Sequence, residues 1–128
     1  MIDYAKDCWL RALASIEAAS HLVDIDPDSA ASRAYYAAFH AICACFALQN
    51  ISFTKHAQLR AAVHRDLVKT GKWDGELGRA FDFLADIRDI GDYGGKYHVS
   101  KADANSAISR ARSILEAVRN QEKDTLGS

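Results

Sequence analysis

Arg88 stands where an apolar residue is expected. Leu77, Phe81, Leu84 and position 88 are separated by four, three and four residues, steps that stay on one face of a helix. A guanidinium therefore continues an apolar stripe. Stripping such a charge of water without a partner is strongly unfavourable. Arg88 must pair with a nearby carboxylate, with Asp89 and Asp92 at hand, or line a groove that receives an anion. Arg33, Tyr36 and His40 form a second constellation, since offsets of three and seven place them on one side of a helix. A cation, a phenol and an imidazole suit a phosphate or an RNA strand, supplying charge, hydrogen bonding and proton transfer. The same three residues also suit a polar seam in which every donor is satisfied.

The other histidines are weaker signals. His56 follows Lys55 at a helix start, and His64 lies beside Arg65 and one turn from Arg60, as on a basic, partly exposed helix face. His98 sits in the loop after Arg88, where it either folds back onto Arg88 or stays solvated. No His/Cys spacing suggests zinc, and Gly91-Asp92-Tyr93-Gly94-Gly95 lacks the strand and lysine of a phosphate-binding loop. No serine has a base at readable spacing. Cys8, Cys43 and Cys45 are too few and too irregular for a disulfide framework. The last two read as buried thiols acting as small hydrophobes. Neither a metal nor a cofactor is expected.

These side chains need rigid helices to position them, and the composition favours helices. The 128 residues include one proline, Pro27, and seven glycines, and alanine is abundant. Alanine loses no side-chain entropy in a helix, whereas proline and glycine end one. The net charge of −1 argues against a protein that coats duplex DNA through a broad basic face. No stretch approaches the roughly 18 apolar residues of a membrane span, so no membrane partner is expected. Met1 to Tyr4 lacks a basic region followed by an apolar run. No secretory leader is expected, and the reducing cytoplasm is the expected compartment.

The periodicity predicts an all-α, up-and-down antiparallel bundle of about five helices over residues 1–122, with a polar tail at 123–128. The first helix spans Ile2 to Val23, with a stripe of Ile2, Trp9, Leu13, Ile16 and Val23. Asp28 or Ser29 caps the second, which runs to about Gln49. Tyr35, Phe39, Ile42 and Phe46 are its large residues, and its alanines let neighbours approach, so it belongs at the bundle centre. The third runs from Lys55 to Thr70, with Leu59, Val63 and Leu67 at a spacing of four, and stops at Gly71. The fourth starts at Asp74 and ends at Gly91, then Gly94-Gly95. Ser100 caps the fifth, Lys101 to Asn120, whose stripe is Ala104, Ile108, Ala111, Leu115 and Val118.

Ser32-Arg33-Ala34-Tyr35-Tyr36-Ala37-Ala38-Phe39-His40 resembles the HEPN family, the higher eukaryotes and prokaryotes nucleotide-binding domain. The resemblance continues through Lys55-His56, Val68-Lys69-Thr70-Gly71, Glu76-Leu77-Gly78-Arg79, Arg88-Asp89-Ile90-Gly91-Asp92-Tyr93 and Val99-Ser100-Lys101-Ala102-Asp103-Ala104. It covers nearly the whole chain and is nearest to the small stand-alone bacterial and archaeal members. It implies a helical bundle, usually a homodimer. Many such proteins are ribonucleases, acting as toxins beside a minimal nucleotidyltransferase or as defence effectors. Their catalytic pattern is an arginine, usually followed by a polar residue, then a histidine after four to six more. Two such motifs meet across the dimer, and the implied metal-free chemistry uses the RNA 2′-hydroxyl as nucleophile.

Arg88-Asp89 matches the opening of that pattern, but Tyr93 stands after four intervening residues, and the next histidine, His98, comes after nine. A phenol with a pKa of about 10 is a poor base at neutral pH. Arg33 and His40 are six residues apart in this sense, yet lie on the central helix and not at the family's catalytic position. Two readings follow from the resemblance. One is a toxin–antitoxin or defence ribonuclease with Arg88, Asp89 and His98 catalytic and Arg33, Tyr36, His40 and Tyr93 on the RNA or nucleotide. The other is a non-catalytic module that binds a nucleotide or a nucleotidyltransferase partner. A helical scaffold without either role is a third. Arg33 is expected to serve stability at least as much as function, through a partly buried charged network.

Overall fold

The alanines of the second helix set the architecture. In the computed structural model, which describes residues 1–126, α2 spans Pro27–Ala47 and its alanines at 30, 31, 34, 37, 38, 41, 44 and 47 are all fully buried. Small side chains on every flank allow close approach of several helices at once. Accordingly α2 packs against α1 (Ile2–Leu22), α4 (Gly75–Tyr93) and α5 (Lys101–Gln121). No strand occurs among the described residues, and the fold is the all-α helical bundle that the periodicity predicts. No described helix is long and apolar enough to cross a membrane.

Three local expectations need correction. Of the expected stripe Trp9 is buried and Leu13, Ile16 and Val23 pack against the core, but Ile2 is 54% exposed, and Ala5, Cys8, Ala12, Ser15 and Ala19 complete the buried face. A spacing of seven drifts around a helix of 3.6 residues per turn, and the small-residue face fits the alanines of α2 more closely. The cap of α2 is Asp26, which accepts from the Ser29 amide at 3.2 Å, with Pro27 in the first turn. Pro27 lacks the N–H that the helix start leaves unpaired in any case. Third, Gly91 does not end α4. The helix continues to Tyr93, and a Cβ at Gly91 would lie 2.8 Å from the Asp28 carbonyl oxygen. That glycine is there for a close approach, not for a stop.

The third helix is also more complex than its spacing of four suggests. α3 (His56–Ala62) continues without a break into a π-helical turn, Val63–Val68. Leu59, Val63 and Leu67 are buried, so the apolar spacing survives. Gly71, at φ +82°, turns the chain away, and Trp73 returns to the core with its indole N–H on Gln121. A final turn, α6 (Lys123–Leu126), sets Leu126 against the core. Residues 127 and 128 of the expected tail lie outside the described residues.

Candidate functional site

Arg88 belongs to the last turns of α4 and points at α2. Its side chain is only 16% exposed. One terminal nitrogen donates to the Tyr36 hydroxyl at 3.2 Å and lies 4.0 Å from an Asp92 oxygen. The other donates to Asp89 at 3.2 Å. The guanidinium carbon lies 4.9 Å from the Tyr35 ring centre, 5.8 Å from that of Tyr36 and 5.9 Å from that of Tyr93. Nε is buried and has no hydrogen-bond partner among the described residues. The aromatic faces around the guanidinium offset part of that cost. Each terminal nitrogen has one committed N–H, which leaves a second on each.

The consecutive aromatics of α2 build the floor. Tyr35 points inward and is buried at 2% exposure, whereas Tyr36 is half-buried. Arg33 lies 5.2 Å from the Tyr36 ring centre, and the rings of Tyr36 and His40 are 6.1 Å apart. The structure thus brings Arg33, Tyr36, His40, Arg88, Asp89 and Tyr93 to one surface. Tyr93 is 76% exposed at its edge. Arg33 itself is exposed, and among the described residues it makes no ion pair. The expectation of a partly buried network is corrected: a position early in a helix does not bury a long side chain when no neighbouring element reaches that far.

His98 is placed elsewhere. Its Nδ1 lies 2.6 Å from Asp28, at the start of α2, and the same carboxylate accepts the Val99 amide at 2.6 Å. The Val99 hydrogen bond holds the Asp28 carboxyl below the usual range; burial opposes it, and His98 adds to it. The loop after α4 is thereby strapped to α2 through Asp28, close to where Gly91 meets the Asp28 carbonyl.

Besides His40, a second histidine reaches this face, His56 at the start of α3. Its Nδ1 is 2.7 Å from the Tyr35 hydroxyl, and its ring stacks on Phe39 at 4.6 Å. It meets Tyr36 edge-on at 6.0 Å, so Arg88 and His56 both border Tyr36. Burial lowers the His56 pKa, and Arg88 lowers it further, with Asp89 acting weakly the other way. Burial pushes the Tyr35 phenol up to about 12, so it keeps its proton. His40 is also lowered, by burial first and then by Arg11 and Arg33. The pair Lys55-His56 was the only sequence signal for His56, and Tyr35 read simply as core.

Arg60 and His64 do not form a free basic face. Both bond Asp82 of α4, each at 2.9 Å. Burial raises the Asp82 pKa, yet these two hydrogen bonds and charges outweigh it and hold the carboxyl low. This cluster is internally satisfied. A groove between α4 and α5, lined by Leu77, Phe83, Arg110 and Ala117, shares no residue with the Arg88 face, and Arg110 covers Phe83 at 3.9 Å. Among the described residues no group of three or more His, Cys, Asp or Glu side chains is placed to hold a metal.

Known proteins share this chain's pattern. A UPF0332 protein of Thermotoga maritima is 34% identical over 96 residues, covering 75% of this chain and 73% of that protein. A second UPF0332 protein, from Gloeobacter violaceus, is 30% identical over 118 residues, covering 91% of this chain and 94% of that protein. The family model of the HEPN domain matches residues 5–121, a span that runs from the first turn of α1 to the end of α5 and holds the whole Arg88 face. With that match and this helical order, the chain belongs to the HEPN domain family.

Proposed function

We propose that this protein acts on RNA, gripping a phosphate at Arg88 and stacking nearby bases on the rings beside it. The carrying observation is the state of Arg88: a guanidinium fixed by Tyr36 and Asp89 that still has an uncommitted N–H on each terminal nitrogen. A pre-positioned planar cation suits a phosphate, and base stacking on aromatic rings is tolerant of sequence. Asp89 and Asp92 offset the charges of Arg33 and Arg88, so the face attracts RNA by contact more than by its field. The protein works as a homodimer and as the HEPN partner of a nucleotidyltransferase in a toxin–antitoxin or defence module; the family resemblance supports both points. The activity is metal-independent cleavage.

The test is fluorescence anisotropy of a labelled single-stranded RNA. Arg88→Ala is expected to weaken binding about 10- to 100-fold, the loss of one charge-assisted contact. The logarithm of affinity should fall with the logarithm of salt at a slope of about −0.7 to −1.4, as for one or two phosphates. Equal binding by Arg88→Ala, or no binding by the native protein, overturns the reading.

The second reading is a non-catalytic module that binds a nucleotide or holds the nucleotidyltransferase. Two observations favour it: Tyr93 occupies the position where the family pattern has histidine, and His98 is engaged by Asp28. Purification of the native protein with its bound partners separates the two. A stoichiometric nucleotidyltransferase together with RNA that survives incubation supports the module; RNA cleavage by the purified chain supports the enzyme.

A further inference from the structure

The Arg88 face has a cation but, along α4, no neighbour suited to moving a proton at neutral pH. Asp89 brings a carboxylate and Tyr93 a phenol, and neither is an imidazole. The imidazole comes instead from another element. His56 and Arg88 both border Tyr36, the imidazole at 6.0 Å and the guanidinium carbon at 5.8 Å from its ring centre. Its ring is held on three sides, by the Tyr35 hydroxyl, by stacking on Phe39 and by the edge of Tyr36. The residue is nevertheless exposed.

We propose that His56, held through Nδ1 by Tyr35, is the residue that transfers the proton when RNA is bound at Arg88. This rests on RNA being the ligand of that face. Tyr35 is a positioning residue. Its phenol is buried and keeps its proton, so the bond to Nδ1 persists whichever group donates. When Nδ1–H donates to the Tyr35 oxygen, the Nε2 lone pair is free to act. Five polar or aromatic groups face the imidazole: Tyr35, Tyr36 and Phe39 from α2, and Arg88 and Asp89 from α4. Burial and Arg88 favour its neutral, basic form.

The step balances without an added reactant. Nε2 takes the proton of a ribose 2′-hydroxyl while O2′ bonds to the adjacent phosphorus. The bond from phosphorus to O5′ breaks, and O5′ takes a proton from water. The hydroxide left behind recovers the proton from the imidazolium. Arg88 holds a non-bridging oxygen as negative charge gathers there. The products are a 2′,3′-cyclic phosphate and a 5′-hydroxyl, with no change of oxidation state.

The experiment uses the full chain, an end-labelled single-stranded RNA and EDTA, with binding measured in parallel on the same sequence made uncleavable by 2′-O-methylation. The native protein is expected to release a 2′,3′-cyclic phosphate. His56→Ala and His56→Gln should each cut at least about 100-fold more slowly, the usual worth of a general base, while binding the methylated strand as tightly as before. The glutamine variant retains a hydrogen-bonding side chain beside Tyr35, and circular dichroism checks both folds. Tyr35→Phe should shift the acidic limb of the pH–rate profile, which a purely structural role does not do. Cleavage by both His56 variants at the native rate overturns the assignment, as does loss of cleavage with His98→Ala alone. Tight binding of RNA with no cleavage by the native protein also overturns it, yet leaves RNA binding at Arg88 standing. No binding at all removes both.

Discussion

Arg88 and Arg33 show how differently two arginines on one surface are used. Arg88 is held by two hydrogen bonds and three rings, whereas Arg33 is exposed and only lies above Tyr36. Arg33→Ala is therefore expected to change unfolding free energy by no more than about 0.5 kcal/mol, the range of ordinary surface substitutions. A thermal or urea melt measures this, and a loss above 1–2 kcal/mol restores the buried network that the sequence suggested. The half-buried His40 and the ring of His56 give a pH dependence. Both have folded-state pKa values below the ordinary 6.5. Their contribution to stability is complete above 6.5 and is lost as pH falls through the lower folded values, because the unfolded chain binds the proton more readily. Denaturant midpoints should fall between pH 7 and 5, and fall less in a His40→Gln variant; an unchanged midpoint in the native protein contradicts this.

At the scale of elements, two glycines set helix contacts that no side chain fills. A Cβ at Gly78 would lie 2.9 Å from Val68 Cγ2 and 3.1 Å from His64 Cε1, so this position lets the π-helical turn settle on α4. The turn in exchange delivers His64 to Asp82. A Cβ at Gly91 meets backbone instead, 2.8 Å from the Asp28 carbonyl oxygen. Side-chain ends give way more readily than a helix backbone. Gly91→Ala is accordingly expected to cost about 1–3 kcal/mol, the usual penalty of overpacking, and Gly78→Ala less. Urea titrations of the two variants compare them, and a harmless Gly91→Ala would mean that α2 and α4 separate more easily than their packing implies. The Gly91 variant should also loosen the strap of Val99 and His98 on Asp28, seen as faster exchange of the Val99 amide.

For the whole molecule, the central feature is a helix lined with alanine and enclosed by three others. Nothing in such a core tolerates extra volume. Ala38→Leu or Ala41→Leu, both at fully buried positions, should destabilise by about 1–3 kcal/mol, measured by calorimetry. The proposed homodimer belongs to this scale too. Light scattering at micromolar concentration should give twice the 14.1 kDa chain mass; a single-chain mass counts against the dimer.

The sequence by itself determined the helices and much of what they bury. A helical stripe is a local pattern, and Leu59, Val63 and Leu67, or Ala104 through Val118 in α5, are buried as their spacing demands. The placement of Arg88 among partners was legible for the same reason, since Asp89 and Asp92 lie within one turn. The choice of histidine was not. His56 meets Tyr35 across 21 residues, and His98 meets Asp28 across 70, contacts created by the way helices pack. Spacing along a chain encodes which face a residue shares with its neighbours within a helix. Which face lies opposite is decided only when the alanine-lined α2 brings α1, α4 and α5 together, and with them the start of α3 and the loop after α4, which carry the two imidazoles.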